Sequence, residues 1–457
     1  MKKYDVVIVG GGPSGIITGV TSKKIHPEKS YLLIKEEEKG LVPCGIPYIF
    51  HDLENIDQNQ MGPKPFVDVG GEVLIDTVSR VNAEDKVITT ESGKEISFEK
   101  LVFATGSTPL IPKFIEGYDL EGVEYIKKSY KYIDDLKKRV DTAKNIVVIG
   151  AGFIGVEISE QLAKFKDKSV SLIEAEPHCL YRAFSEDFAE KADEVVKEAG
   201  VHLYTSQKVE KIVGENGKAK GVILSSGTKI DADMVICSVG YVPNCDLAKE
   251  AGIDLSERGT IRVDNYFRTS AKDIYAVGDC SQTIGFITGQ TDNIMLASTG
   301  TAEARVLGRN LFHIKFLRNF PGTLSVFSTE VNGVVFASAG AIEQSARAAN
   351  VQYVVGKAQG MDRHPGKLPG ASQLTVKLVV SPKNGAIIGG EILGGKSVGE
   401  MINIISLAIQ KAVTVYELIS FQVGTHPLLT TAPTQYLLIK AAENAIEDIN
   451  IHDGKLI

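Results

Sequence analysis

The sequence has few cysteines, and their spacing fits neither a metal site nor a disulfide framework. Its 457 residues include five cysteines, an odd number, with no C-x-x-C pair: Cys44, Cys179, Cys237, Cys245 and Cys280. Structural zinc sites and small disulfide-rich secreted domains both need regularly spaced cysteine pairs. We therefore expect no metal site, and a reducing compartment, which indicates the cytoplasm.

Long apolar runs and an excess of basic residues are also missing. The longest apolar candidate, residues 401–413, is interrupted by polar residues and falls short of the ~20 residues of a membrane helix. The formal net charge is -7, whereas a nucleic-acid partner calls for a basic face. With 43% hydrophobic and 23% charged residues, the composition is typical of a globular protein with neither membrane nor nucleic-acid partner.

What the sequence does contain is an internal duplication of a glycine-rich loop. Residues 4–9 are apolar and lead into Gly10-Gly11-Gly12-Pro13-Ser14-Gly15. Residues 145–149 are also apolar and lead into Gly150-Ala151-Gly152-Phe153-Ile154-Gly155. A helix-like stretch and a second strand, residues 30–34 or 169–173, follow each loop. The pattern is therefore strand, G-x-G-x-x-G turn, helix and strand, present twice.

The spacing of the glycines has a physical reason. The first glycine permits a tight turn, the second lets the backbone approach a pyrophosphate, and the third lets helix and strand pack closely. One such loop is weak evidence, but two loops in the correct context predict two dinucleotide-binding units.

An acidic residue at the end of the second strand normally binds the ribose hydroxyls. Glu174 stands nineteen residues after Gly155 and fits this role. In the first copy Lys35 occupies that position, and Glu36 follows it. Either Glu36 takes the role through a small register shift, or the ribose contact comes from elsewhere.

Two further segments resemble the flavin domain of flavoproteins that bind two dinucleotides. One is a strand that ends in Ala104-Thr105-Gly106, and the other is a strand that ends in Gly278-Asp279, whose Asp would contact the ribityl chain. They assign the first glycine loop to FAD and the second to NAD. We expect a discontinuous FAD-binding domain (residues 1–117 and 243–322) around an NAD-binding domain (residues 118–242), in which Gly240 is a further cofactor contact. Residues 323–457 form a third domain, with short alternating strands at 374–380 and 386–391 and helix-like runs at 397–412 and 436–446.

Cys44 follows the second strand of the FAD copy, in the segment Pro43-Cys44-Gly45-Ile46-Pro47-Tyr48. A helix that begins here would favour its thiolate through the helix dipole. A single cysteine beside a flavin can cycle through a mixed disulfide, a persulfide or a sulfenic acid. The alternative is a buried structural cysteine, which is the interpretation we favour for the other four.

With these motifs the sequence resembles, over nearly its full length, the single-cysteine pyridine nucleotide-disulfide oxidoreductases. This group includes coenzyme A disulfide reductases, NAD(P)H-dependent sulfur or polysulfide reductases and NADH oxidases, and the C-G-I-P-Y segment is most similar to the coenzyme A disulfide and sulfur reductase branch. The resemblance implies an α/β fold with two Rossmann-like dinucleotide-binding domains (FAD and NAD) plus a C-terminal α+β dimerisation domain, and a homodimer. It also places Phe153 over the nicotinamide side of the flavin and Glu157 near the carboxamide. From the pattern alone, Phe153 packs at a helix start and Glu157 is solvated.

Three positions depart from related patterns. Glutathione-reductase-like enzymes carry a second cysteine where this chain has Ile49, so no internal disulfide is expected at Cys44. NADH peroxidases and water-forming oxidases carry a His in the first glycine loop, where this chain has Pro13. The segment around His426 resembles the His-Pro segment of glutathione and dihydrolipoamide reductases, which comes from the partner subunit, but the usual acid is Thr431 here.

The expected function is transfer of a hydride from NADH to FAD, and of electrons onward through Cys44 to a low-molecular-weight disulfide, polysulfide or sulfur. His426 is the candidate catalytic acid, with Tyr48 or solvent as the alternative. Two other functions stay open. One is oxygen reduction with Cys44 as a sulfenic acid, and the other is an electron-transfer subunit that serves a protein partner.

Overall fold

The computed structural model describes residues 1–292, 294–318, 320 and 322–454, so the last three residues of the third predicted domain lie outside it. The strands, in chain order, are β1 (Lys2–Val9), β2 (Tyr31–Lys35), β3 (Gly40–Leu41), β4 (Gln60–Met61), β5 (Glu72–Ile75), β6 (Val78–Asn82), β7 (Val87–Thr90), β8 (Glu95–Phe103), β9 (Ser107–Pro109), β10 (Val123–Tyr125), β11 (Asn145–Ile149), β12 (Ser169–Ile173), β13 (His202–Tyr204), β14 (Val209–Glu215), β15 (Lys218–Leu224), β16 (Lys229–Asp231), β17 (Met234–Cys237), β18 (Tyr241–Pro243), β19 (Ile274–Ala276), β20 (Thr283–Ile284), β21 (Thr291–Asp292), β22 (Phe327–Val331), β23 (Val334–Gly340), β24 (Val354–Met361), β25 (Gln373–Val380) and β26 (Ile387–Gly394).

Helices connect these strands. The α-helices are α1 (Pro13–Ile25), α2 (Lys64–Asp68), α3 (Tyr130–Thr142), α4 (Phe153–Ala163), α5 (Glu186–Glu198), α6 (Asp246–Glu250), α7 (Ala297–Asn310), α8 (Glu343–Ala348), α9 (Val398–Gln410), α10 (Val415–Leu418) and α11 (Leu437–Gly454). Short 3-10 helices span Pro43–Gly45, Pro47–Phe50, Ile56–Asn59 and Pro433–Gln435.

The first sheet contains the first glycine loop. Its strand order is β5-β2-β1-β8-β7-β6, and β19 pairs with β8 although it comes much later in the chain. Strand β1 is parallel to both β2 and β8. Its residues Val6, Val7 and Ile8 are fully buried, as expected for a central strand covered on both faces. Pro13 then begins α1, where its missing N–H costs no hydrogen bond.

The second sheet repeats this arrangement around the second glycine loop. Its parallel strands run in the order β10-β17-β11-β12-β13, with a three-stranded antiparallel sheet, β14-β15-β16, beside it. Two chain segments connect the first and second sheets, and they pair with each other: β9 and β18 form an antiparallel ribbon in which Ser107 lies opposite Pro243.

The C-terminal part is an antiparallel sheet with helices. Strands β22-β23-β26-β25-β24 form this sheet. Helices α9 and α11 contact β23 to β26, while α4 and α5 of the second glycine-loop unit contact β22. The fold is therefore the predicted α/β arrangement of two Rossmann-like units followed by an α+β domain. No helix among the described residues is both long and apolar enough to span a membrane.

Candidate active site

The two glycine loops have the same geometry. Gly10 and Gly150 have φ of 116° and 97°, in the left-handed region that favours glycine. A Cβ at Gly15 would collide with the carbonyl oxygen of Gly10, and one at Gly155 would collide with that of Gly150. The first glycine of each loop thus makes the turn, and the third lets the helix pack on the turn.

The second glycine of each loop faces free space. Gly12 (φ -77°, ψ -179°) and Gly152 (φ -72°, ψ -176°) have extended backbones. Apart from the adjoining residues of the chain, no atom of the described residues lies within 4 Å of a Cβ built on either. The open space lies at the N-termini of α1 and α4, where free backbone N–H groups attract phosphate. Both loops therefore fit a dinucleotide pyrophosphate.

The residues at the ribose position differ between the two copies. The Glu174 carboxylate accepts the N–H of Ala151 at 2.6 Å, which holds it against the second loop. In the first copy Lys35 is buried, and its Nζ donates to the carbonyl of Glu38 at 3.2 Å. Burial lowers the pKa of Lys35. Glu36 is exposed, so the first copy presents both a lysine and a glutamate to the same space.

The two predicted flavin motifs meet at the end of the first sheet. The Thr105 hydroxyl donates to the carbonyl of Asn244 at 2.6 Å, which connects the A-T-G turn to the segment that returns from the second unit. Gly278, with φ of 80°, precedes Asp279, and the Asp279 carboxylate accepts the Ser107 hydroxyl at 2.7 Å.

A single cavity of about 2900 Å³ connects both loops. A pocket for one drug-sized ligand measures roughly 300–1,000 Å³, so this volume has room for two dinucleotides and an acceptor. Most predicted site residues line it: Gly10, Gly12, Pro13, Ser14, Lys35, Glu36, Cys44, Ala104, Thr105, Gly106, Gly150, Gly152, Phe153, Ile154, Glu157, Glu174, Gly240, Gly278 and Asp279.

Cys44 lies inside this cavity, where solvent can reach it. Partial desolvation by the surrounding cavity walls, together with the Glu157 carboxylate, raises the pKa of its thiol. The expectation of a thiolate favoured by a helix dipole is therefore wrong. The helix here is a 3-10 turn of three residues, Pro43–Gly45, which is too short to carry a large dipole. The other four cysteines are buried, as expected for structural residues.

Glu157 lies on α4 and is the charged residue with the largest effect on the pKa of Cys44. Burial raises the pKa of its carboxyl to about 7. The Thr329 hydroxyl, from β22 of the C-terminal sheet, donates to Glu157 at 2.7 Å. Phe153, at the start of the same helix, stacks on Phe327 with ring centroids 4.9 Å apart. Phe153 thus makes the helix-start packing contact expected from the pattern, whereas Glu157 is partly buried rather than solvated, and both residues line the cavity.

Sequence reasoning missed Lys128 and Glu303. The Lys128 Nζ donates to Asp279 and to the Ser107 hydroxyl, both at 2.8 Å, and its charge partly offsets the rise in the pKa of Cys44. Glu303 is fully buried on α7 beside the G-D turn, and burial raises the pKa of its carboxyl to about 7. Neither residue belongs to a sequence motif, and each lies at the site only because folding brings distant parts of the chain together.

His426 lies in the segment between α10 and the 3-10 helix Pro433–Gln435. It is exposed, and its Nδ1 accepts the N–H of Leu428 at 3.3 Å. It does not line the part of the cavity formed by the described residues. A role for His426 at Cys44, with the histidine supplied by a second copy of the chain, stays a prediction.

Two glycine loops, the flavin motifs and a cysteine in one shared cavity define an FAD- and NAD(P)H-dependent flavoprotein oxidoreductase. Residues 4–304 match the family described as pyridine nucleotide-disulphide oxidoreductase, and residues 328–436 match its dimerisation domain. The chain belongs to this family, with FAD and NAD(H) as cofactors and a small-molecule substrate. The dimerisation domain indicates a homodimer.

Individual relatives carry several names. The chain is 30% identical to an NADH oxidase of Methanocaldococcus jannaschii, over 97% of this chain and 99% of the other. It is also 30% identical to an NAD(P)H coenzyme A polysulfide/persulfide reductase of Pyrococcus horikoshii, over 86% and 88% of the two chains. The solved structure of an NAD-dependent persulfide reductase from A. fulgidus superposes with a TM-score of 0.89 at 29% identity, over 98% of this chain and 84% of that chain.

Proposed function

We propose that the chain uses NADH to reduce a low-molecular-weight disulfide, polysulfide or sulfur at Cys44. The observation that carries this proposal is the position of Cys44, which is exposed in the cavity that joins the two glycine loops. Ile49, at the position of a second cysteine, is buried and cannot close a disulfide. The acceptor sulfur itself must therefore form the mixed disulfide with Cys44.

Different residues of the chain would bind the two cofactors and the acceptor. The first loop, the A-T-G turn and Asp279 would hold FAD, and the second loop, Glu174 and Gly240 would hold NADH. Once bound, the two cofactors supply hydride transfer and the electron pair that reduces sulfur. The Cys44 thiolate attacks one sulfur of the acceptor, the S–S bond breaks, and the released thiolate takes up a proton. Reduction of the mixed disulfide by the electron pair from the cofactors, with uptake of a second proton, would release the second thiol and restore the Cys44 thiolate.

Two groups on the protein can supply the proton. Glu157, with a pKa of about 7, lies on the Cys44 side of the cavity and can hold a proton at neutral pH. His426 of the partner subunit is the second candidate, by the resemblance to His-Pro reductases, and would make the active site shared between the subunits. Burial and Glu157 raise the pKa of Tyr48, which makes it a weaker acid.

Oxygen reduction is the second candidate function, because the M. jannaschii relative is named an NADH oxidase. In that reaction Cys44 would alternate between the thiol and a sulfenic acid. Both reactions would use the same cavity and the same cofactors. The two functions therefore differ in the electron acceptor and not in the fold.

We also propose the domain division given by the sequence: residues 1–117 with 243–322, residues 118–242, and residues 323–457. Separate sheets in the first, second and third parts support these limits, as does the β9–β18 ribbon between the first two. A cytoplasmic location follows from the need to keep Cys44 a thiol between turnovers.

Anaerobic stopped-flow spectroscopy of a Cys44→Ser variant tests the proposal. Flavin reduction by NADH should proceed at the wild-type rate, because hydride transfer does not involve the thiol. Turnover with coenzyme A disulfide or polysulfide should fall by more than about a thousandfold, as expected when a covalent nucleophile is lost. Undiminished disulfide turnover would refute the role of Cys44. Fast flavin reduction with no turnover of disulfide, polysulfide or oxygen by the wild type would instead favour a protein electron acceptor.

The shared site has its own test. A heterodimer of one Cys44→Ser subunit and one His426→Ala subunit keeps one intact Cys44–His426 pair only if the site spans both subunits. We expect about half of the wild-type turnover from that heterodimer and very little from either homodimer. If His426→Ala homodimers retain full turnover, Glu157 or solvent supplies the proton.

A further inference from the structure

One face of the C-terminal sheet contacts the second glycine-loop unit, and it carries polar residues beside apolar ones such as Phe336. Its other face packs on α9 and α11, for example through Gly390, where a Cβ would meet Ile405. On the face toward the second glycine-loop unit, four polar residues stand side by side across strands β23, β26, β25 and β24: Ser338, Glu391, Lys377 and Lys357. We refer to these four residues as the polar row.

The polar row binds the first turn of α5. The Glu391 Oε1 accepts the backbone N–H of Ser185 at 2.6 Å. The Lys377 Nζ donates to the Ser185 hydroxyl at 2.8 Å and to Asp187 at 2.5 Å, and it pairs with Glu343 at 3.1 Å. Lys357 reaches the second oxygen of Asp187 at 2.9 Å. The sheet thus fixes this turn by several charged contacts.

The chain just before that turn forms a wall of the cavity. Within residues 174–184, residues 174–176, 178 and 180–183 line the half of the cavity that belongs to the second glycine loop. The Leu180 N–H donates to the carbonyl of Ala151 in that loop at 2.9 Å. The carbonyl of Phe184 accepts the Gln344 side-chain amide at 3.0 Å. The wall is therefore held by the glycine loop in its middle and by the C-terminal domain at its end.

Stability alone does not account for Glu391. Its side chain is fully buried, and its Oε2 has no hydrogen-bond partner among the described residues. Burying a carboxyl with an unpaired oxygen costs free energy that a leucine in the same place would not cost. A leucine, however, would leave the Ser185 N–H without its acceptor. What Glu391 provides is an acceptor for the Ser185 N–H, and this hydrogen bond fixes the position of Ser185.

We propose that Glu391 and Lys377 are positioning residues for the nicotinamide dinucleotide. They hold the start of α5, and through it the cavity wall of residues 174–184, so that NADH affinity depends on a sheet outside the dinucleotide-binding unit. This inference rests on the second loop binding NADH and is independent of the electron acceptor.

Anaerobic stopped-flow measurement of flavin reduction by NADH gives the Kd for NADH and the limiting rate separately. We expect Glu391→Leu to raise the Kd about tenfold, the effect of one charged hydrogen bond, with the limiting rate within about twofold of wild type. Glu391→Gln keeps an acceptor oxygen for Ser185 and should stay within about twofold in both quantities. Because Asp187 is half-exposed, Asp187→Asn will fold even if Glu391→Leu does not, and it should raise the Kd about threefold by weakening both lysine pairs.

Val376→Ala is the matched control. Val376 neighbours Lys377 on β25, is fully buried and points to the opposite face of the sheet. It should destabilise the domain by about 1–3 kcal/mol and leave the Kd for NADH unchanged. The proposal is overturned if Val376→Ala raises the Kd as much as Glu391→Leu. It is also overturned if Asp187→Asn and any folded Glu391→Leu protein, with full flavin content, bind NADH as wild type does.

Discussion

Replacing the second glycine of each loop by valine should separate the two cofactor sites. Gly12 and Gly152 have nearly the same extended backbone angles, which valine adopts without strain. Apart from the adjoining residues of the chain, no described atom lies within 4 Å of the added Cβ. Neither substitution should therefore change the unfolding free energy of the cofactor-free protein by more than about 0.5 kcal/mol. What the valine side chain fills is the space for pyrophosphate.

The size of the effect follows from the lost phosphate contacts. If the side chain displaces a pyrophosphate from two backbone N–H groups, each charged hydrogen bond is worth about 1.5–3 kcal/mol, so affinity falls by roughly 10²–10⁴. Gly12→Val should purify with almost no FAD. Gly152→Val should keep its yellow flavin and reduce it with a strongly raised Kd for NADH.

Each variant is the control for the other, and Gly62→Ala serves as a third. Gly62 is also open and lies outside the cavity lining, so its alanine variant should bind both cofactors normally. Flavin absorbance after desalting and stopped-flow titration with NADH measure the two losses. Full FAD content in Gly12→Val, or flavin loss in Gly152→Val, would refute the assignment of the loops.

Three further predictions concern carboxylates. Glu174→Ala should reduce the preference for NADH over NADPH in steady-state kinetics by about tenfold or more, since the carboxylate that would repel a 2′-phosphate is gone. Glu157→Gln should lower the pKa of Cys44 and speed its alkylation by iodoacetamide at pH 8 about threefold; an unchanged rate would contradict the coupling. For Glu391, burial raises the pKa from 4.5 to about 7, so the folded protein binds a proton that the unfolded chain releases between those values, and stability falls as pH rises through that window. The Glu391→Gln variant has no carboxyl to titrate at this position. Between pH 4.5 and 7.5 its urea unfolding free energy, relative to that of wild type, should therefore increase by about 3 kcal/mol. No increase would mean that the wild-type carboxyl is already ionised at pH 5.

The glycine loops could be predicted from the sequence because their chemistry is local. Turn, pyrophosphate approach and helix packing all fall within six residues, so Gly10 to Gly15 and Gly150 to Gly155 form the predicted geometry. Strands at 374–380 and 386–391 and helices at 397–412 and 436–446 are likewise indicated by local periodicity, and each is present with ends shifted by up to eight residues.

Electrostatics at the site could not be predicted in this way. The thiol of Cys44 is influenced by Glu157 and Lys128, which come from other parts of the chain and are brought near it by folding. A sequence also does not show that the helix after Pro43 ends after three residues. The buried Glu303 and the contact between Thr329 and Glu157 carry no local signal for the same reason.

The β9–β18 ribbon has a consequence for how this enzyme can be altered. The two crossings between the flavin and nicotinamide units lie side by side, and Leu110 donates its N–H to the carbonyl of Gly240 at 2.9 Å. A segment whose two ends lie side by side can be removed or replaced without a change in the path of the remaining chain. Residues 110–240 are therefore a segment that can be exchanged as one piece, or cassette. A gene encoding the same cassette from a relative with another nicotinamide preference would change the electron donor and leave the thiol chemistry at Cys44 to the host.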